Sequence, residues 1–241
     1  MTYESHLNAA EAPLWPLEHS IAWDRIDREI ARQERPIHRL LHDAALIEGY
    51  LPVYAGRLLA MLWDDVDATA VLSLELFEGL RHYTALKRYL DVVGFQTAAD
   101  ADTGLAEARA RTTHAHYSAA GIPEHLTHFM GSELFASFFF RRLAEQTREP
   151  VLADLLHRMS ADELRHAAAA GALLEARVRR DPAVAPRVMA AAEAFRHYGS
   201  DIVEVPVGTP NDFEAIAAFS RKVRLICRAG TASPTARGRH F

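Results

Sequence analysis

The chain has 241 residues, 49% hydrophobic and 24% charged, the balance of an ordinary globular protein. Its formal net charge of −5 offers a nucleic acid no general electrostatic attraction. Cys227 is the only cysteine, so an internal disulfide is excluded and a reducing, cytoplasmic location is expected.

An Ala- and Arg-rich composition with few β-branched runs favours helices. Residues 1–20, with Pro13 and Pro16 around Trp15, read as irregular. Their opening, MTYESHLNAAEAP, lacks a basic region followed by an apolar stretch and is not read as a signal peptide. A charged amphipathic helix is predicted from Ile21 to about Arg35. Pro36 opens the next helix, where a missing N–H is tolerated. Its apolar stripe is Ile37, Leu40, Leu41, Ala44, Leu51, Ala55, Leu58, Leu59 and Leu62, with Glu48 in the middle. Pro52 removes the N–H that would bond to the Glu48 carbonyl, and a kink is expected there.

The third helix begins near Asp67 or Thr69 and stops at Gly94. Its buried face reads Val71, Leu74, Glu75, Glu78, His82, Ala85, Leu86, Tyr89 and Val93. Residues 95–103 read as a polar connector, and 104–118 as a shorter helix bearing His114 and His116. Pro123 opens a long helix to about Arg148 with the stripe Leu126, Met130, Glu133, Ser137, Phe140 and Ala144. Pro150 starts the next, to about Arg180. A helix from Asp181-Pro182 through Tyr198, a loop over 199–210 and a last helix capped by Asn211-Asp212 complete the set. Residues 1–228 form one all-helical domain in this reading, and 229–241 a disordered tail. No apolar run is long enough to span a membrane. The likeness of Glu78–Tyr83 to Glu193–Tyr198 is read as coincidence.

The most informative segment is Asp162-Glu163-Leu164-Arg165-His166. Residues three apart on a helix share a face, so Glu163 and His166 point the same way. That face is apolar, running Leu152, Leu156, Met159, Glu163, His166, Ala170, Leu173. A buried carboxylate and imidazole cost roughly several kcal/mol unless compensated, and a metal ion is one compensation. Four long helices each place a carboxylate in an apolar stripe: Glu48, Glu78 with Glu75 nearby, Glu133 and Glu163. Two of them add a histidine, His82 and His166. That order of acids and histidines is the dinuclear carboxylate pattern of helix bundles.

Several segments resemble the soluble acyl-acyl-carrier-protein desaturases, a family of ferritin-like di-iron carboxylate proteins. Glu48-Gly49-Tyr50-Leu51-Pro52-Val53-Tyr54 is similar to their first ligand helix. Arg81-His82 with Lys87-Arg88-Tyr89-Leu90 and Gly94 resembles the second, Ser132-Glu133 the third, and Asp162–His166 the fourth. The likeness spans about residues 37–200, with a weaker echo to about 228. It implies an all-α, ferritin-like four-helix bundle with flanking helices. It also implies an O2-dependent oxidase with two iron ions that desaturates or hydroxylates a fatty acyl chain on acyl carrier protein. Electrons would come from a ferredoxin-type donor, and the chain would be a homodimer. Glu48 would be a terminal ligand of one iron and Glu133 of the other, with Glu163 bridging and His82 and His166 binding one iron each.

Two positions depart from the family. Gly79 stands where the second bridging Glu is usual; a π-bulge would bring Glu78 into its place, making Glu78 a sixth ligand. Otherwise the site has lost a bridge and holds one metal, manganese, or nothing. Ala136 replaces the usual threonine one turn after Glu133. A di-metal oxygenase for a small metabolite or amine, and a non-catalytic bundle, therefore stand as alternatives. Asp162, Arg81 and Arg165 are either exposed helix charges or a supporting ring that orients the ligand histidines, and Glu75, on the buried face, is placed in that ring. His114, His116, His125, His128 and His157 are expected on the surface. Phe138, Phe139 and Phe140 are core or dimer packing before they are a substrate wall. Arg141-Arg142 and Arg177, Arg179 and Arg180 form either a solvated basic face or a surface for an acidic carrier protein.

Overall fold

The computed structural model describes residues 3–11, 14–112, 121–203 and 213–231, and among these there is no β-strand. The helices in chain order are α1 (Tyr3–Glu11), α2 (Leu17–Ser20), α3 (Arg28–Arg32), α4 (Arg35–Met61) and α5 (Val66–Val92). They continue with α6 (Ala98–Arg111), α7 (Ile122–Gln146), α8 (Pro150–Arg180), α9 (Ala185–Glu193) and α10 (Phe213–Thr231). No described helix is long and apolar enough to cross a membrane.

Helix boundaries follow from backbone groups that side chains can satisfy. The Asp65 carboxylate accepts from Ala68 N–H at the start of α5, and Glu149 accepts from Val151 and Leu152 N–H ahead of Pro150. At the end of α5, Gly94 adopts φ +70°, which lets Gly94 N–H reach the Asp91 carbonyl and Phe95 N–H the Leu90 carbonyl. The α8 stripe buries as its spacing predicts: Leu152, Leu156, Met159 and Ala170 are inaccessible to solvent. Each large side chain of that stripe contributes about 1.5–3 kcal/mol.

α4, α5, α7 and α8 close into a four-helix bundle, with α4 packed on α5 and α7, and α8 on α7 and α5. Short connections make α4/α5 and α7/α8 antiparallel hairpins. Asp162 meets His82 while His166 meets Glu78, so α5 and α8 also run antiparallel. That leaves α5 and α7 pointing the same way, with the long connection through α6 crossing between them. α9 and α10 pack on the α7/α8 hairpin and α6 on α4/α5, while Arg177 near the end of α8 holds the Asp65 cap of α5 at 2.8 Å. Buried Glu34 accepts from Thr147 Oγ1 and Arg148 N–H, tying the start of α4 to the α7–α8 turn.

Several expected boundaries are corrected. No helix spans Ile21–Arg35: Ile26 is extended, and the Asp27 carboxylate captures Glu29 and Ile30 N–H, which restarts the chain as α3. Within the stretch read as irregular, α1 and α2 form. The connector over 95–103 is partly helical, because Thr97 caps Asp100 N–H and starts α6 at Ala98. α9 ends at Glu193, and Tyr198 lies in a separate 3-10 turn held to α7 by Tyr198 N–H donating to Ser132 Oγ. Leu40 is 42% exposed, its place in the core taken by His38 against Tyr89 and Phe95. α10 continues past residue 228 to Thr231. His114, His116, the Asn211-Asp212 cap and residues 232–241 lie outside the described residues.

Candidate metal centre

Mid-bundle, Glu48 from α4, His82 from α5, Glu133 from α7, and Glu163 and His166 from α8 converge, none more than 3% exposed. They form two sets, Glu48/His82/Glu163 and Glu133/Glu163/His166, with one ligand atom from each residue of a set within 4.8 Å of the others. Glu163 belongs to both. His82 Nδ1 lies 2.7 Å from Glu163 Oε1 and 3.6 Å from Glu48 Oε2. His166 Nδ1 lies 3.1 Å from Glu163 Oε2 and 3.4 Å from Glu133 Oε2. His82 Nδ1, Glu163 Oε1 and Glu133 Oε1 are buried without a hydrogen bond of acceptable geometry, although the first two nearly touch. Donors held close but not aligned on one another suit a common third partner. Ligands about 2.0–2.2 Å from an ion stand within such distances of each other, and mixed carboxylate and imidazole donors suit a divalent metal ion.

The opposite nitrogen of each imidazole meets a carboxylate from the other hairpin. His82 Nε2 is 3.0 Å from Asp162 Oδ2, and His166 Nε2 is 2.8 Å from Glu78 Oε2. A carboxylate only accepts, so each Nε2–H donates and each Nδ1 is turned inward. Arg165 clamps both acids, Nη1 to Asp162 at 2.9 Å and Nη2 to Glu78 at 2.6 Å. Asp162 also accepts from Trp15 Nε1 at 2.7 Å, and the Trp15 ring stacks on His82 with 6.0 Å between centroids. Arg81 lies over that indole and donates to the Trp15 carbonyl. Asp162, Arg81 and Arg165 thus belong to the supporting ring.

Glu78 stands apart from the two convergent sets. α5 is a regular α-helix with no π-bulge, so Glu78 stays on the outer side of His166 rather than among the inward donors. Its place is the one Asp162 takes against His82. The sequence carries the signal: Glu78-Gly79-Leu80-Arg81-His82 repeats Asp162-Glu163-Leu164-Arg165-His166 as acid-x-Leu-Arg-His. The two hairpins are related by an approximate twofold, with Gly79 at the position of Glu163. Glu75 is not in the supporting ring either; it is buried with no hydrogen-bond partner on either oxygen.

Burial and the Glu163 charge push the Glu48 carboxyl up to about 7. Burial, then the same charge, hold Glu133 well above the usual carboxylate range. Burial would also raise Glu163, but a hydrogen bond from Glu133 and the charges of His82 and His166 outweigh it and hold Glu163 well below. Both imidazoles are disfavoured as cations by burial, yet the Glu163 charge and the surrounding carboxylates raise them well above ordinary histidine. Without an ion, charge balance falls to protons on His82, His166 and Glu133, which a divalent ion would displace.

Tyr198 was missed in the sequence because it sits outside the long helices. Burial and then the Glu133 charge hold its hydroxyl well above the usual tyrosine range, and its ring stacks on Tyr54 at 4.9 Å and His197 at 5.1 Å. Trp15 was also missed, being 147 residues from its partner Asp162. His157 is exposed as expected, but His125 is buried, and half-buried His128 stacks on Phe195 and accepts from Arg196 N–H. Phe140 is core, with Phe138 and Phe139 half-buried. The basic groups are largely engaged: Arg177 is buried on Asp65, Arg141 meets Glu214 at 2.7 Å and Arg179 meets Glu175 at 2.6 Å. No protein-family model matches this chain, and no curated protein or solved structure matches it.

Proposed function

We propose that this chain is an oxygen-dependent oxidase built on a dinuclear metal centre, with iron as the metal and manganese as the alternative. The observation that carries this reading is the pair of buried donor sets sharing Glu163, in which His82 Nδ1, Glu163 Oε1 and Glu133 Oε1 lack hydrogen bonds. Glu48 and His82 would hold one ion, Glu133 and His166 the other, and Glu163 both. Two iron ions there would supply reductive activation of O2 and removal of hydrogen from an unactivated C–H bond. The chain's own part is to fix both imidazole rings through Asp162 and Glu78, to keep water from the centre, and to hold a proton near Glu133 on the Tyr198 hydroxyl.

The proposed substrate is a fatty acyl chain on acyl carrier protein, desaturated or hydroxylated with electrons from a ferredoxin-type donor in a homodimer. The desaturase-like segments, above all Asp162–His166, support it. Gly79 and Ala136 favour a second reading, in which the same centre oxidises a small metabolite or amine. Protein reconstituted anaerobically with Fe(II) and then given O2 tests both. Faster O2 consumption with acyl-loaded carrier protein supports the first, and with free small molecules only, the second. Iron that stays clearly below one per chain after reloading would leave a non-catalytic bundle.

A further inference from the structure

We infer that Glu75 supplies the carboxylate that Gly79 lacks, entering the centre from one turn earlier on α5 and completing its His166 side. The inference rests on the dinuclear reading above and adds a ligand to it. The approximate twofold pairs Gly79 with Glu163, so one hairpin provides an inward carboxylate at this level and the other does not. Position 79 does face the centre: a Cβ there would stand 3.4 Å from Glu48 Oε2 and 2.5 Å from Leu51 Cδ2. Leu51 fills the room a side chain would need. Three residues after Glu133, where the twofold places the counterpart of Leu51, the chain has the smaller Ala136.

Glu75 precedes Gly79 by four residues, which on an α-helix turns its direction by only about 40°. Its side chain is 1% exposed, and neither oxygen has a hydrogen-bond partner among the described residues. A buried carboxyl left so costs roughly several kcal/mol. Other buried acids of this fold are satisfied: Glu34 accepts from Thr147 and Arg148, and Glu149 from Val151 and Leu152. Among the described residues, the buried acid oxygens without a partner are confined to Glu75, Glu133 and Glu163, and the latter two are ligands in the proposed centre. Glu75 stands outside the two convergent donor sets, one helical turn before Gly79, and His166 is the charged group that acts on it most.

Packing alone does not call for an acid here. The correspondence of Gly79 with Glu163 pairs Glu75 with Met159, which is fully buried, so an unbranched apolar side chain serves that position. A carboxylate at this position therefore calls for a charged partner, and with Glu75 the inward donors become four carboxylates and two imidazoles. The two metal positions are then unequal, the His166 side having one more carboxylate than the His82 side.

Anaerobic equilibrium dialysis of the full chain against Fe(II), with metal analysis, tests the inference on wild type, Glu75→Gln and Glu163→Gln. Wild type is expected to bind two ions per chain. Glu75→Gln should keep one with unchanged affinity and hold the second at least tenfold more weakly, while Glu163→Gln weakens both. Two ions bound by Glu75→Gln with wild-type affinities would overturn the role of Glu75 and leave the dinuclear reading standing. A wild type that binds no Fe(II), or a Glu163→Gln protein that binds as wild type does, would overturn both. If Glu75→Gln does not fold, Glu75→Met copies the residue at position 159 and carries the same expectations.

Discussion

Replacing Glu78 with Gln separates an outer support from a metal ligand. Glu78 is 1% exposed, with Oε2 at 2.8 Å from His166 Nε2 and Oε1 at 2.6 Å from Arg165 Nη2. Gln keeps the shape but offers one acceptor where two donors arrive, so its NH2 must face either the guanidinium or the imidazole N–H. Hydrogen bonds to charged groups contribute about 1.5–3 kcal/mol each, so losing one and weakening the other should lower unfolding free energy by about 3 kcal/mol. Solvent screens these contacts little, because Glu78 and His166 are buried and the Arg165 side chain is 14% exposed. Removing the acid that orients a ligand histidine weakens metal binding about 10–100-fold, or about 1.4–2.7 kcal/mol. Capacity, however, should stay at two ions per chain once metal is saturating. Urea denaturation reads the first effect, and anaerobic Fe(II) titration reads the other two. A capacity of one at saturation would make Glu78 a ligand and refute its place outside the centre. Unchanged stability and affinity would show that its two contacts contribute nothing.

Trp15→Phe keeps an aromatic ring over His82 but removes the donor to Asp162, and should cost about 2 kcal/mol in urea denaturation; a loss under about 0.5 kcal/mol would contradict that contact. Burial lowers the His197 imidazole to about 4 from an ordinary 6.5, so the unfolded chain takes up a proton before the folded one does. Stability should therefore fall as pH drops from 6.5 towards 4, by up to about 3 kcal/mol at 1.36 kcal/mol per pH unit. His197→Asn retains an acceptor for Gly199 N–H, and denaturation at pH 7 and pH 5 should show a shallower acid loss than wild type; an equal slope would exclude His197 as its source. Gly94→Ala meets no atom within 4 Å, so only its φ of +70° opposes the methyl, and thermal unfolding should register a cost of about 1 kcal/mol.

The long helices were legible because burial imposes a helical period on them and because Pro36, Gly94, Pro123 and Pro150 punctuate them. Short elements were not, since single side chains decide them: the Asp27 carboxylate restarts a helix that the apolar pattern would have continued. Glu48, His82, Glu133, Glu163 and His166 were recognisable as polar residues inside apolar stripes, and the structure brings all five together. Glu78 misled because it shares the buried face of α5, and a stripe does not distinguish an acid beside Nδ1 from one beside Nε2. Its correct place was readable only by setting Glu78–His82 against Asp162–His166, where Gly79 takes the position of Glu163. Trp15 and Tyr198 reach the centre from segments with no periodic pattern, so only tertiary packing reveals them.

The central claim is that these buried acids and histidines form a dinuclear centre. Anaerobic titration of metal-free protein with Fe(II), followed by metal analysis after removal of unbound ion, tests it most directly. The account predicts two ions per chain, with binding lost in parallel when Glu163 is replaced. Binding clearly below one ion per chain that reloading does not raise, or binding indifferent to Glu163, would contradict it.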